Sequence, residues 1–293
     1  MNAIETKQLR KFYGSARGIE NLDLTVEQGE FFGFIGPNGA GKSTTIRTLL
    51  GLISPTSGSA SVLGLDIREK KPQILSRVGY LPSEITFYPG MKVSQVLKLS
   101  AKLHKKDCDK EAQALCQRLQ LDLNRRVEDL SLGNRKKVGI VCALQHEPEL
   151  LILDEATSGL DPLMQREFFE ILKERNQKGV TVFLSSHVLS EIQHNCSRAA
   201  IIRSGKIVAS GLVSELADSG ARRVQLRGSM DLTGLTGIRD LSKTGDGLSF
   251  LYSGSLPQLL QRLSQGQIQD LTIAEPDLEE IFLHYYESEA DKS

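Results

Sequence analysis

No apolar stretch of this 293-residue chain approaches the ~18–20 residues that carry a helix across a bilayer. The opening MNAIETKQLRKFYG has no apolar signal-peptide core. These two absences lead to the expectation of a cytoplasmic protein whose membrane role, if any, depends on another polypeptide. Neither sign of charge is in excess: 36 basic and 36 acidic residues cancel. That argues against a dedicated electrostatic nucleic-acid binder. Cysteine is scarce, and Cys108, Cys116, Cys142 and Cys196 form no CxxC pair and have no histidine at metal spacing. Helix packing in a reducing compartment accounts for them. What remains is 40% hydrophobic and 25% charged, ordinary for a soluble globular protein and long enough for one large core plus a small appended domain.

Residues 3–32 alternate in short runs, with turns at Tyr13-Gly14 and at Glu27-Gln28-Gly29-Glu30, and read as antiparallel strands. Phe31–Ile35 is a short apolar strand closed by a glycine loop, and the segment from Thr44 to Leu50 reads as a helix stopped near Gly51. Residues 91–147 look helical. Leu150-Leu151-Ile152-Leu153 is apolar throughout, as in a central parallel strand. A helix from about Leu163 to Lys178, a strand at Val180–Leu184 and a hairpin at 199–209 follow. This alternation implies an α/β sheet. Beyond about Ser219, strands at 223–227, 248–253 and 268–273, with helices at 256–263 and 277–286, suggest a separate small α/β domain. The expected division is therefore 1–219, with a helical subdomain at about 84–147, and 220–293.

Residues 36–43 read GPNGAGKS and match G-x-x-x-x-G-K-[ST] between a strand and a helix, the context that this motif requires. The glycines let successive backbone N–H groups curl around phosphate, and the helix adds its positive end. Lys42 would reach the β- and γ-phosphates, and the Ser43 hydroxyl would ligate Mg²⁺. Asp154 and Glu155 close the apolar strand. Asp154 suits a Mg²⁺ partner through water, and Glu155 can polarise the water that attacks the γ-phosphate. Without the upstream loop, the same pair would be a solvated strand end.

With these motifs in order, the sequence resembles the ATP-binding subunits of ABC transporters over nearly its whole length. The phosphate loop corresponds to Gly36, Pro37, Asn38, Gly39, Ala40, Gly41, Lys42 and Ser43, followed by Thr44; the signature peptide to LSLGN at 130–134; and the acidic strand end to LLILDE at 150–155. The D-loop corresponds to Ser158-Gly159-Leu160-Asp161, the switch histidine to His187 in LSSHVLSE, and the adenine-stacking aromatic to Tyr13 in RKFYG. Taken alone, Tyr13 is a packing residue and His187 an ordinary loop histidine. The resemblance implies that they stack on adenine and hydrogen-bond the γ-phosphate. It also implies that Ser131 and Gly133 serve nucleotide held by a second subunit, and that Asp161 of the D-loop is a nucleotide-binding residue. Two departures stand out. Ser83, followed by Glu84, occupies the family's Q-loop glutamine position and is too short to replace it, so coupling there would run through Glu84 or bridging water. Leu132 and Asn134 alter the signature. The Arg135-Lys136-Lys137 run reads as a solvated helix face.

The implied fold is a P-loop NTPase core with an N-terminal antiparallel β-subdomain, a helical subdomain and a small C-terminal α/β domain. The implied function is an ATPase that dimerises around two ATP and drives a separate membrane permease, for export, from the cytoplasmic face of the membrane. Phe87 and Tyr88 are candidate permease contacts. The alternatives are a soluble ABC ATPase acting on nucleic acid or ribosomes, and a phosphate-loop kinase. One cassette without sustained heptads speaks against the first, and the signature peptide against the second.

Overall fold

The computed structural model describes residues 1–14, 16–217, 222–230 and 232–274, which form parts of two compact units, Met1–Ser210 and Gly211–Ser293. In the first unit, β1 (Asn2–Tyr13) and β2 (Ala16–Glu27) pair antiparallel across the expected turn. The chain then leaves that sheet for β3 (Phe31–Ile35), which runs into the glycine loop and α1 (Lys42–Leu49). β4 (Ser57–Val62) and β5 (Leu65–Asp66) return to the first sheet and complete the order β2-β1-β4-β5. Next come α2 (Lys71–Arg77), β6 (Val78–Leu81), α3 (Val93–His104) and α4 (Asp109–Arg118). A single 3-10 turn precedes α5 (Leu132–Leu144), and β7 (Leu150–Asp154), α6 (Pro162–Gln177) and β8 (Thr181–Ser186) follow. The unit closes with α7 (Leu189–Asn195), β9 (Arg198–Arg203) and β10 (Lys206–Leu212).

Six strands form a second sheet in the order β10-β9-β3-β8-β7-β6. β3, β7 and β8 are buried along their whole lengths: side chains such as Phe32, Phe34, Ile152 and Phe183 pack with α1 and with the antiparallel β1, β2 and β4 on one side, so the strands keep no polar side. Phe32 and Phe34 of β3 pack on Phe183 of β8, with ring centroids 5.9 and 5.3 Å away. Each such ring contributes roughly 1.5–3 kcal/mol by leaving water. The parallel registers bring the carboxyl ends level: Ile35 pairs with Ser186, Asp154 with Ser185, and Leu81 with Leu153. The phosphate loop, Asp154-Glu155, His187 and the Pro82-Ser83 turn therefore leave the sheet along one edge, where open α/β sheets bind ligands.

The second unit is an antiparallel sheet backed by a helix. Its elements are α8 (Val213–Ala217), β11 (Arg222–Ser229), β12 (Ile238–Thr244), β13 (Gly247–Tyr252), α9 (Leu256–Leu263) and β14 (Gln267–Ala274), with strand order β12-β13-β11-β14. Val224, Leu226, Phe250, Tyr252, Leu259 and Leu263 make its core. The helix expected at 277–286 lies outside the described residues.

One expectation is overturned here. Lys136 and Lys137 do not lie on a solvated face: they are only 3% and 8% exposed. The helix that carries them is buried nearly all round, with Val138, Gly139, Ile140 and Val141 also inside. A long aliphatic stem can enter such a core provided its ammonium finds acceptors.

Candidate functional site

The phosphate loop is built by β3 and propped from outside. The Ala40 N–H donates to the Pro37 carbonyl (3.2 Å), and the Gly205 N–H, from the turn between β9 and β10, donates to the Ala40 carbonyl (2.8 Å). Gly41 enters α1 at φ 113°, a conformation open to glycine, and a Cβ there would meet the Gly18 carbonyl at 2.8 Å. Lys42 is 4% exposed. Its ammonium donates to the carbonyls of Gly36 (2.6 Å) and Pro37 (3.1 Å). It also lies 3.6 Å from Glu155 Oε1. Burial lowers the Lys42 pKa, and the Glu155 and Asp154 carboxylates oppose that shift.

The acidic pair is held differently on its two members. Asp154 is 1% exposed and accepts from the Ser185 hydroxyl at 3.0 Å. Glu155 points its Oε1 between Lys42 and His187, whose Nδ1 is 3.2 Å away. Its backbone is left-handed, φ 49°, a strained conformation for a residue with a side chain, costing on the order of 1–3 kcal/mol. The Glu155 N–H is fixed by the Ser185 carbonyl at 3.0 Å. Tyr80 lies near enough to Asp154 and Arg47 to feel both: burial raises its pKa first, Asp154 adds to that, and Arg47 opposes it.

A cleft of about 220 Å³ gathers Tyr13, Asn38, Gly39, Gly41, Lys42, Ser43, Thr44 and Glu155, together with Gly18. The Tyr13 ring is half exposed, with the Lys11 ammonium 5.2 Å from its centroid. Ser131, Gly133 and Asp161 do not line this cleft. Ser131 caps α5, its hydroxyl accepting from the Asn134 N–H at 3.3 Å. Gly133 lies against the Gly159 carbonyl, which a Cβ would approach to 2.5 Å. Asp161 caps α6, accepting from the Met164 N–H at 3.0 Å.

Sequence reasoning missed Glu191. It accepts from Thr157 Oγ1 (2.6 Å) and Ser186 Oγ (2.8 Å), and so ties the loop after β7 to the end of β8 on either side of Glu155 and His187. Its only signal was its place four residues after His187. Lys136 was also missed, because its burial cannot be read from a run of three cations.

For a magnesium ion the donor chemistry fits. Asp154 is a buried carboxylate that accepts from the Ser185 hydroxyl, and Ser43 lines the cleft. Hard oxygen donors of this kind, few in number, are how the protein's share of a phosphate-bound Mg²⁺ is made. Among the described residues there is no cluster of three or more His, Cys, Asp or Glu able to cage a metal without substrate.

Residues 19–158 match the ABC transporter family. The bacitracin transport ATP-binding protein BcrA of Bacillus licheniformis is 42% identical over 70% of this chain and 68% of its own length. The Nod factor export ATP-binding protein I of Cupriavidus pinatubonensis is 37% identical over 74% and 68%, respectively. A solved ATP-binding subunit of an ABC transporter superposes with a TM-score of 0.70 at 30% identity, covering 73% of this chain and 91% of that one. The chain therefore belongs to the ATP-binding subunits of ABC transporters, and it is an ATP-hydrolysing enzyme of that family.

Proposed function

We propose that this subunit hydrolyses ATP at the interface of a dimer, with an identical or related second subunit, and that it drives a separate membrane permease in export. The observation that carries the reading is Glu155 Oε1, which lies 3.6 Å from Lys42 and 3.2 Å from His187. In this reading Glu155 is the base that polarises the attacking water, and Lys42 neutralises charge on the β- and γ-phosphates. His187 hydrogen-bonds the γ-phosphate. Tyr13 stacks on adenine, while the backbone of 36–44 cradles the phosphates. Ser43 and Asp154 would hold Mg²⁺, which when bound would draw charge off the phosphates. The stiff, left-handed backbone at Glu155 keeps its carboxylate aimed rather than free to swing.

The dimer is supported by what the cleft leaves out. Ser131 and Gly133 lie at the start of α5, outside the residues that line the subunit's own cleft, and a helix start with a hydroxyl suits an anion. We assign it, with Asp161, to the nucleotide of the partner. Residues 1–219 then act as the nucleotide-binding domain and 220–293 as an accessory domain. Among the described residues no helix is long and apolar enough to cross a membrane, in keeping with a separate permease and a peripheral position on the cytoplasmic face. Tyr88 is exposed and Phe87 half-buried, which keeps both as candidate permease contacts. Export is supported by the Nod factor relative. The test is Glu155→Gln at saturating ATP and Mg²⁺: an ATP-bound dimer is expected by size, and a monomer would overturn the sandwich.

A further inference from the structure

A second buried cation, on a different element from Lys42, lies outside the residues that line the nucleotide cleft, yet the carboxylates at 154–155 act on it. Lys136 lies in the second turn of α5, and its ammonium donates to the backbone carbonyls of Pro82 (3.2 Å) and Ser83 (3.0 Å). Those carbonyls belong to the turn that leaves β6 directly after Leu81, which pairs with Leu153 of β7. The turn at 82–83 and the carboxylates at 154–155 thus emerge side by side from neighbouring strands. Gly139, one helical turn further along α5, lets the helix approach the same segment: a Cβ there would come within 2.3 Å of Ile85 Cδ1.

A buried ammonium held only by neutral carbonyls is a costly arrangement. Burial lowers the Lys136 pKa, while Asp154 and Glu155, in that order, act against the shift. The two carboxylates therefore oppose the loss of that charge. Two of the three N–H donors are used on the turn. The start of the same helix carries Ser131 and Gly133, about one turn away. α5 thus carries the proposed anion site at its start and the buried ammonium in its second turn.

We propose that Lys136 is a positioning residue for ATP hydrolysis: its ammonium locks the Pro82–Ser83 turn to α5 and couples movement of the α5 start to the setting of the carboxylates at the end of β7. The inference rests on Glu155 being the hydrolytic base. When the start of α5 engages nucleotide, Lys136 moves with the helix and carries the 82–83 turn along, so that hydrolysis is tuned without any contact between Lys136 and ATP.

The test is steady-state hydrolysis by the full chain carrying Lys136→Met or Lys136→Arg, with equilibrium ATP affinity measured on the same preparations. Methionine keeps the stem and removes both charge and donors, whereas arginine keeps a permanent charge. Lys136→Met is expected to lower kcat about tenfold or more, with KM and ATP affinity within about twofold of the parent, and Lys136→Arg to recover most of the loss. A Lys136→Met kcat within twofold of the parent would overturn the inference. So would a parallel loss of ATP affinity in both variants, which is what an ordinary packing residue would give. Glu155→Gln assayed alongside separates the two ideas. Full turnover in that variant defeats the base assignment itself. An inactive Glu155→Gln beside an unaffected Lys136→Met defeats only the role of Lys136.

Discussion

Two of the places in the first unit that bury titratable side chains resolve the cost in opposite ways. At the carboxyl end of β7, the buried Lys42 and Lys136 both feel Asp154 and Glu155, and the carboxylates oppose the lowering of both lysine pKa values. In the helical segment, His104 at the end of α3 stacks on His146 after α5, with ring centroids 3.6 Å apart. Among the described residues no carboxylate acts on either ring. Burial lowers both, the Lys106 charge nearby adds to it, and His146 falls to about 4. The carboxyl end of β7 keeps its charges because opposite charges meet there, whereas the histidine pair gives its charge up. Burial by itself does not mark a functional site; burial together with a retained charge does.

The comparison can be broken most sharply at Lys42. Lys42→Ala removes the ammonium 3.6 Å from Glu155, and ATP turnover is expected to fall about 100- to 1,000-fold. Hydrolysis at the parent rate would show that the retained charge is not catalytic. The histidine pair makes the opposite prediction, on stability rather than rate. Unfolded, His146 takes up a proton near pH 6.5; folded, it does so only near 4. Its neutral form therefore supports the fold fully above pH 6.5, and that contribution is lost as pH drops toward 4, by on the order of 3 kcal/mol. Melting temperatures from pH 7 to 4 should fall steeply in the parent and less steeply in His146→Phe; identical slopes would count against this account.

Smaller effects sharpen the contrast. His187 is half exposed and shares Glu155 with Lys42, so His187→Ala is expected to reduce kcat about tenfold while ATP affinity holds. A large loss of affinity instead would make it a binding residue. The least effect belongs to charges that are paired yet solvated. Arg118 of α4 forms ion pairs with Glu167 and Glu174 of α6 at 2.6 Å each. Arg118→Ala is expected to cost below about 1 kcal/mol, shrinking further at high salt. Chemical denaturation at two ionic strengths would check this.

Much of the fold was legible where burial is continuous or the turn chemistry is explicit. β3, β7 and β8 announce themselves as apolar runs, and the strand, glycine loop and helix around Lys42 follow from spacing. The elements that were missed lack these signals. β4 reads SGSASV, small and polar. α2 buries Ile74 alone of its seven residues, too little for periodicity to register. β12, IRDLSKT, shows no alternation because its face is largely exposed.

Within the site, the sequence alone determined the chemical cast: a phosphate loop with its lysine, and two carboxylates closing an apolar strand. The resemblance supplied the signature and the switch histidine. These were readable because phosphate binding and a buried strand each demand residue types at fixed local spacing. Only the tertiary structure decided where the side chains meet. It aimed Glu155 between Lys42 and His187, tied Thr157 to Ser186 through Glu191, and drew Lys136 inward to Pro82 and Ser83. Apart from Ser186 and Glu191, those contacts join residues tens to over a hundred positions apart. The register of a parallel sheet brings such residues together, and no local pattern encodes it.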